Sequence, residues 1–195
     1  MQELSLDRFV LAGQAWGARQ THIFAALHPT IVRAAVLIDT APEVKKSVAQ
    51  AVLSYLHEIN NLSSFEEFVS KVHSREPNRS IDHIRTMLWH QVEQLQDNKW
   101  GWKRDMRTIS GGGPPSPMDS PKYLWASLAT VRCPTLLVRG AESPILTEDM
   151  AARMLQALPV AQLEIIPRAR HLVATENPLD FERSFRRFLN KAIVL

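Results

Sequence analysis

Phe9-Val10-Leu11-Ala12-Gly13-Gln14-Ala15-Trp16-Gly17 is a short apolar run that ends in Gly-x-x-x-Gly and passes at once into a helical pattern. In the nucleophile elbow G-x-S-x-G, small residues let the chain turn tightly enough to lift a catalytic side chain above a sheet, beside backbone N–H groups that can hold an oxyanion. Gly13 and Gly17 keep that frame. The central position is Ala15, which has no oxygen or sulfur and can neither attack nor carry a proton. The motif with the clearest chemical signature therefore lacks its reactive atom. Metal chemistry has no comparable signature: the seven histidines, His22, His28, His57, His73, His83, His90 and His171, show no paired spacing such as H-E-x-x-H. Neither a metal nor a cofactor is expected.

A strand, a sharp turn and a helix must hold the elbow. Phe9-Val10-Leu11 reads as the strand, and residues 18–28 carry Ile23, Ala26 and Leu27 at helical spacing until His28-Pro29 stops them. Val32–Ile38 is a second strand. With a helix between them, the two strands are expected as parallel neighbours joined by a right-handed crossover, buried on both faces. From Pro42 to about Arg107 the pattern turns helical. Val48, Val52, Tyr55, Leu56 and Ile59 form one stripe, Phe65, Phe68, Val69 and Val72 a shorter one, and Ile81, Ile84, Leu88, Val92 and Leu95 a third. Ser110-Gly111-Gly112-Gly113-Pro114-Pro115-Ser116-Pro117 reads as an extended or flexible connector back to the main body. Residues 133–140 give a third strand, Thr147 caps a helix with Glu148 and Asp149 in its first turn, and residues 162–166 give a fourth strand. Asn177-Pro178 opens a last helix with Phe181, Phe185, Phe188 and Leu189 inward.

The 195 residues, 45% of them hydrophobic, suffice for a sizeable core. The apolar runs are too short to span a bilayer and no signal pattern opens the chain, so a cytoplasmic protein without membrane partners is expected. Cys133, the single cysteine, has no partner for an internal disulfide and is expected to pack. A net charge of +3 without a basic stripe interleaved with aromatics argues against nucleic acid.

Together, the elbow, the helical insertion and Arg170-His171-Leu172 after the last strand resemble the α/β-hydrolase superfamily over nearly the whole chain. Gly13-Gln14-Ala15-Trp16-Gly17-Ala18-Arg19 is similar to the Gly-His-Asp-Trp-Gly elbow of epoxide hydrolases and haloalkane dehalogenases and to the Gly-His-Ser-x-Gly elbow of esterases. Residues 133–143 resemble the acid-bearing strand and turn, and His171, followed by Glu176-Asn177-Pro178, stands where the family keeps its catalytic histidine. The departures are Ala15 for the nucleophile, Gln14 for the usual preceding histidine, Pro144 where an orienting acid commonly falls, and Arg168 and Arg170 where glycines often flank the histidine loop. The family's first strands would precede Met1.

The resemblance implies His171 as general base; the plain alternative is a loop histidine bonded to nearby backbone. Glu142 and Asp39, which ends the second strand, are two candidates to orient it. A solvated turn carboxylate and a loop or cap role are their plain alternatives. The Trp16 backbone N–H would face the oxyanion, while Gln14, Trp16, Trp89 and Trp125 are candidates to line a substrate pocket, the tryptophans alternatively being core.

The expected fold is α/β: a mainly parallel sheet of about four strands flanked by helices, with a helical cap insertion and without the family's N-terminal strands. Residues 1–41 and 121–195 would form the core, and 42–120 the cap and connector. The expected function is that of a family member related to enzymes of small ester, epoxide or similar apolar substrates, with its covalent mechanism disabled. Two alternatives stand beside it: an active enzyme using His171 as base, and an interaction module. The first sheet edge, open on its outer side, would pair in a homodimer or with a partner chain supplying the missing strands.

Overall fold

The computed structural model describes residues 7–106 and 116–193. The chain divides into two compact units, one formed by residues 1–44 with 116–195 and the other by residues 45–115.

The first unit is built on four parallel strands in the order β1 (Phe9–Gln14), β2 (Val32–Ile38), β5 (Thr135–Gly140) and β6 (Ala161–Ile166). Alternation of side chains along the two central strands creates two cores. Ala35, Leu37 and Leu137 face one side with α1 (Trp16–Leu27), α5 (Pro121–Leu128) and α6 (Glu148–Ala157). Ala34, Val36, Ile38, Leu136 and Val138 face the other, where α8 (Pro178–Ile193) brings Phe188 and Ala192. Each buried leucine or valine contributes about 1.5–3 kcal/mol to this packing. β2 and β5 are covered on both faces, and both are near-continuous apolar runs for that reason.

Three expected boundaries move. The first strand continues beyond Leu11 to Gln14, and α1 begins at Trp16 rather than Ala18, so the turn between them is a single residue. The third strand starts at Thr135, two residues after Cys133. Thr147 does cap α6, its hydroxyl accepting from the Met150 N–H at 3.3 Å.

The second unit holds α2 (Lys46–Glu58), α3 (Phe65–Arg75) and α4 (Ile81–Gln91), with a small antiparallel pair, β3 (Val92–Gln94) and β4 (Trp100–Trp102). Phe68, Val69, Val72, Ile84, Leu88 and Val92 form its core, with Trp100 and Trp102 packed against it. The stripe from Ile81 to Leu95 was expected as one helix; α4 instead stops at Gln91 and the chain extends. A tight turn then reverses it, with Asn98 at φ 62° and the Leu95 N–H bonded to the Lys99 carbonyl at 2.6 Å. α2 buries none of its residues, unlike α3 and α4. Most of the expected connector, residues 107–115, lies outside the described residues. Beyond it, Ser116 caps a single turn at Pro117–Asp119.

Candidate active site

At the end of β1, Gly13 admits the close approach of α1. A Cβ there would lie 2.3 Å from the Gly17 carbonyl oxygen and 2.6 Å from the Thr21 hydroxyl. Ala15 occupies the turn at φ 52°, ψ −116°, a region L-residues enter only under constraint, and its N–H is tied to the Ile38 carbonyl at 3.0 Å. α1 therefore opens at Trp16 with no side-chain cap and no acidic residue in its first turn. The first backbone N–H groups of a helix have no partner within it, so this end presents donors and the positive end of the helix dipole beside Ala15.

Asp39 follows β2 directly, also at positive φ (46°), and is completely buried. Its Oδ1 accepts from the Gly140 N–H at 3.2 Å; its Oδ2 accepts from the Ser143 hydroxyl at 2.6 Å and meets His171 Nδ1 at 2.7 Å. A carboxylate only accepts, so Nδ1–H is the donor in the last contact, and the tautomer this selects in a neutral imidazole carries its lone pair on Nε2. The Ser143 hydroxyl in turn accepts from the Ile145 and Leu146 N–H groups at 3.1 and 3.2 Å, which fixes the turn after β5.

Three further contacts fix the His171 backbone. Gln14 Nε2 donates to its carbonyl at 2.9 Å. The buried Glu176 carboxylate, on α7 (Val173–Glu176), accepts from the N–H groups on either side, those of Arg170 and Leu172. Gly140 lets this loop lie directly on the end of β5: a Cβ there would meet the Arg170 carbonyl oxygen at 1.9 Å. The His171 side chain remains 33% exposed.

Ala15, Trp16, Arg19, Thr40, Ala41, Ile145 and His171 line one open cavity of about 180 Å³. Of the sequence candidates, Ala15, Trp16 and His171 thus meet at one cavity, with Asp39 buried behind the histidine. Gln14 is placed against the histidine loop. Glu142 sits exposed on its turn, its N–H bonded to the Ala169 carbonyl at 2.9 Å, while Asp39 makes the contact to the imidazole. Trp125 packs against the core, with its Nε1–H directed to Glu43 at 3.3 Å and Arg153 over its ring. Trp89 belongs to the second unit, exposed beside Phe65 and Trp100. Ser143, Glu176 and Arg19 were not singled out by residue type; Glu176 is visible in the sequence only within Glu176-Asn177-Pro178.

Among the described residues no group of three or more His, Cys, Asp or Glu side chains is arranged to hold a metal, and no helix is long and apolar enough to cross a membrane.

A family model described as "alpha/beta hydrolase fold" matches residues 1–178. An esterase of Mycobacterium tuberculosis is 23% identical over 186 residues, covering 91% of this chain and 59% of that protein. An sn-1-specific diacylglycerol lipase of Danio rerio is 23% identical over 192 residues, covering 96% and 59%. The chain thus spans 59% of the length of each of these relatives. Among solved structures, E-2-(acetamidomethylene)succinate hydrolase superposes with a TM-score of 0.80 at 20% identity, covering 97% of this chain and 69% of that one.

Proposed function

The chain belongs to the α/β-hydrolase fold family, and on that premise we propose that its cavity binds a small ester and that Ala15 closes the covalent route through which a nucleophile would cleave it. The carrying observation is the contrast at one cavity: His171 is oriented by Asp39 at 2.7 Å, while the elbow position beside it ends in a methyl group. Acyl transfer to residue 15 needs an oxygen or sulfur to form the new bond, and none is present. The ester class is supported by the similarity to an esterase and to a diacylglycerol lipase.

The Asp39–His171 contact favours a second reading, in which water replaces the missing side chain. His171 Nε2 takes a proton from water, the hydroxide adds to the ester carbonyl, and the proton passes to the departing alcohol. Incubating the purified chain with activated esters, beside His171→Ala, separates the two readings. Ester binding without turnover supports the first, turnover lost in His171→Ala supports the second, and neither binding nor turnover contradicts both.

We further propose that β1, which pairs only with β2 among the described strands, carries association with a second copy or a partner chain. A hollow lined by Leu11 and Ala12 of β1 with Phe24, Leu27 and Met118, and with Gln20 and Thr21 also in its wall, leaves Leu27 57% exposed beside that strand. A monomer at micromolar concentration with no partner on isolation contradicts this reading.

A further inference from the structure

Among the described residues, Arg19 is the one Arg or Lys side chain in the lining of the His171 cavity. It lies one turn into α1, and its guanidinium sits 5.7 Å from the Trp16 ring centroid. One Nη donates to the Ala41 carbonyl at 3.0 Å. That is its only side-chain hydrogen bond among the described residues, and none of them places a carboxylate within ion-pair distance. Asp119 acts on it only at longer range. A guanidinium carries five N–H donors in a planar fork suited to a carboxylate, so most of its donors are unspent at the cavity. Partial burial depresses its pKa, with Asp119 pulling the other way, so the charge sits in surroundings that strengthen its attraction for an anion.

We propose that Arg19 anchors a carboxylate on the ligand, so that the cavity takes a small anionic ester rather than a neutral one. The inference rests on the reading of this cavity as an ester site and names the charge of its ligand. The volume of about 180 Å³ lies below the ~300–1,000 Å³ of drug-sized pockets, which suits a short acyl chain with the carboxylate a few bonds from the ester. Arg19 also ties down Ala41, two residues beyond Asp39, so ligand charge and loop position meet in one side chain.

The test measures binding of three probes to the unaltered chain at low salt: monomethyl succinate, dimethyl succinate and succinate. Binding is followed by calorimetry, beside Arg19→Gln and Arg19→Lys. The expected result is a preference of about tenfold or more for the monomethyl over the dimethyl ester, lost in Arg19→Gln and partly kept in Arg19→Lys. The ratio of the two ester affinities is the readout: loss of the Ala41 contact alone would lower Tm and weaken both esters alike, leaving the ratio unchanged, whereas loss of the anion anchor lowers the monomethyl ester affinity selectively. Equal binding of the two esters, or a preference that survives Arg19→Gln, overturns the anion anchor while leaving the ester reading intact. Succinate bound through Arg19 with neither ester bound keeps the anchor and removes the ester reading. No binding of any probe at millimolar concentration overturns both.

Discussion

On one side of the cavity, Asp39 accepts from Gly140, Ser143 and His171, and Glu176 and Gln14 hold the histidine loop. On the other, Ala15 keeps the same kind of strained backbone, φ 52° against 46° at Asp39, yet carries no polar atom. At Asp39 the strain aims a carboxylate; at Ala15 it aims only a methyl group. The comparison teaches that the shape of such a site and its reactivity are separable: glycine packing and backbone bonds enforce the elbow whether or not its central residue can react.

The histidine side should break hardest. Asp39→Ala leaves two buried donors, the Gly140 N–H and the Ser143 hydroxyl, and the half-buried His171 Nδ1–H without their acceptor, at about 1–3 kcal/mol for each buried one, so a loss of about 4 kcal/mol in stability is expected by denaturant titration. A loss below about 1 kcal/mol would mean that this side is no more tightly built than the elbow.

The elbow side carries a pH sensitivity of its own. His22 in α1 is buried, and neither ring nitrogen has a hydrogen-bond partner. Burial lowers its pKa to about 4; the Ala18 carbonyl one turn back opposes this in part, without normal hydrogen-bond geometry, and Arg19 lowers it further. The folded protein holds this histidine neutral while the unfolded chain, near pKa 6.5, takes up a proton, so stability is fully present above about pH 6.5 and falls as pH drops toward 4. The loss is about 3 kcal/mol, and unfolding followed between pH 7 and 4 should show it diminished in His22→Phe.

The smallest effect belongs to the strained turn. Ala15→Gly relieves the positive φ and is expected to stabilise the fold by about 1 kcal/mol, roughly 2–4 °C in Tm, since relief of strain outweighs the added freedom of the unfolded chain. A fall in Tm would mean that the Ala15 methyl packs usefully in place of a reactive side chain.

Much of this arrangement is written in local pattern. The four strands and the elbow follow from apolar runs punctuated by glycine, and the cap of α6 follows from Thr147 with its acidic first turn. The choice between Asp39 and Glu142 was not legible, because it depends on contacts spanning more than a hundred residues: Asp39 with Gly140, Ser143 and His171. Glu176 likewise acts through backbone N–H groups that no residue pattern displays. The end of α4 was legible in principle. Asp97-Asn98 is a turn signal that outweighs the helical spacing of Leu95, since an extended pair closed by that turn brings Trp100 and Trp102 onto the core of the second unit.

The most direct measurement is mass spectrometry of Ala15→Ser after brief exposure to an activated ester, beside the unaltered chain and Ala15→Ser with His171→Ala. If the site lacks only its reactive atom, Ala15→Ser alone gains the mass of one acyl group, on the tryptic peptide that contains position 15. If Ala15→Ser folds yet gains no acyl group, the dyad and the elbow are not aligned for attack, and the account of a site complete but for one atom is contradicted.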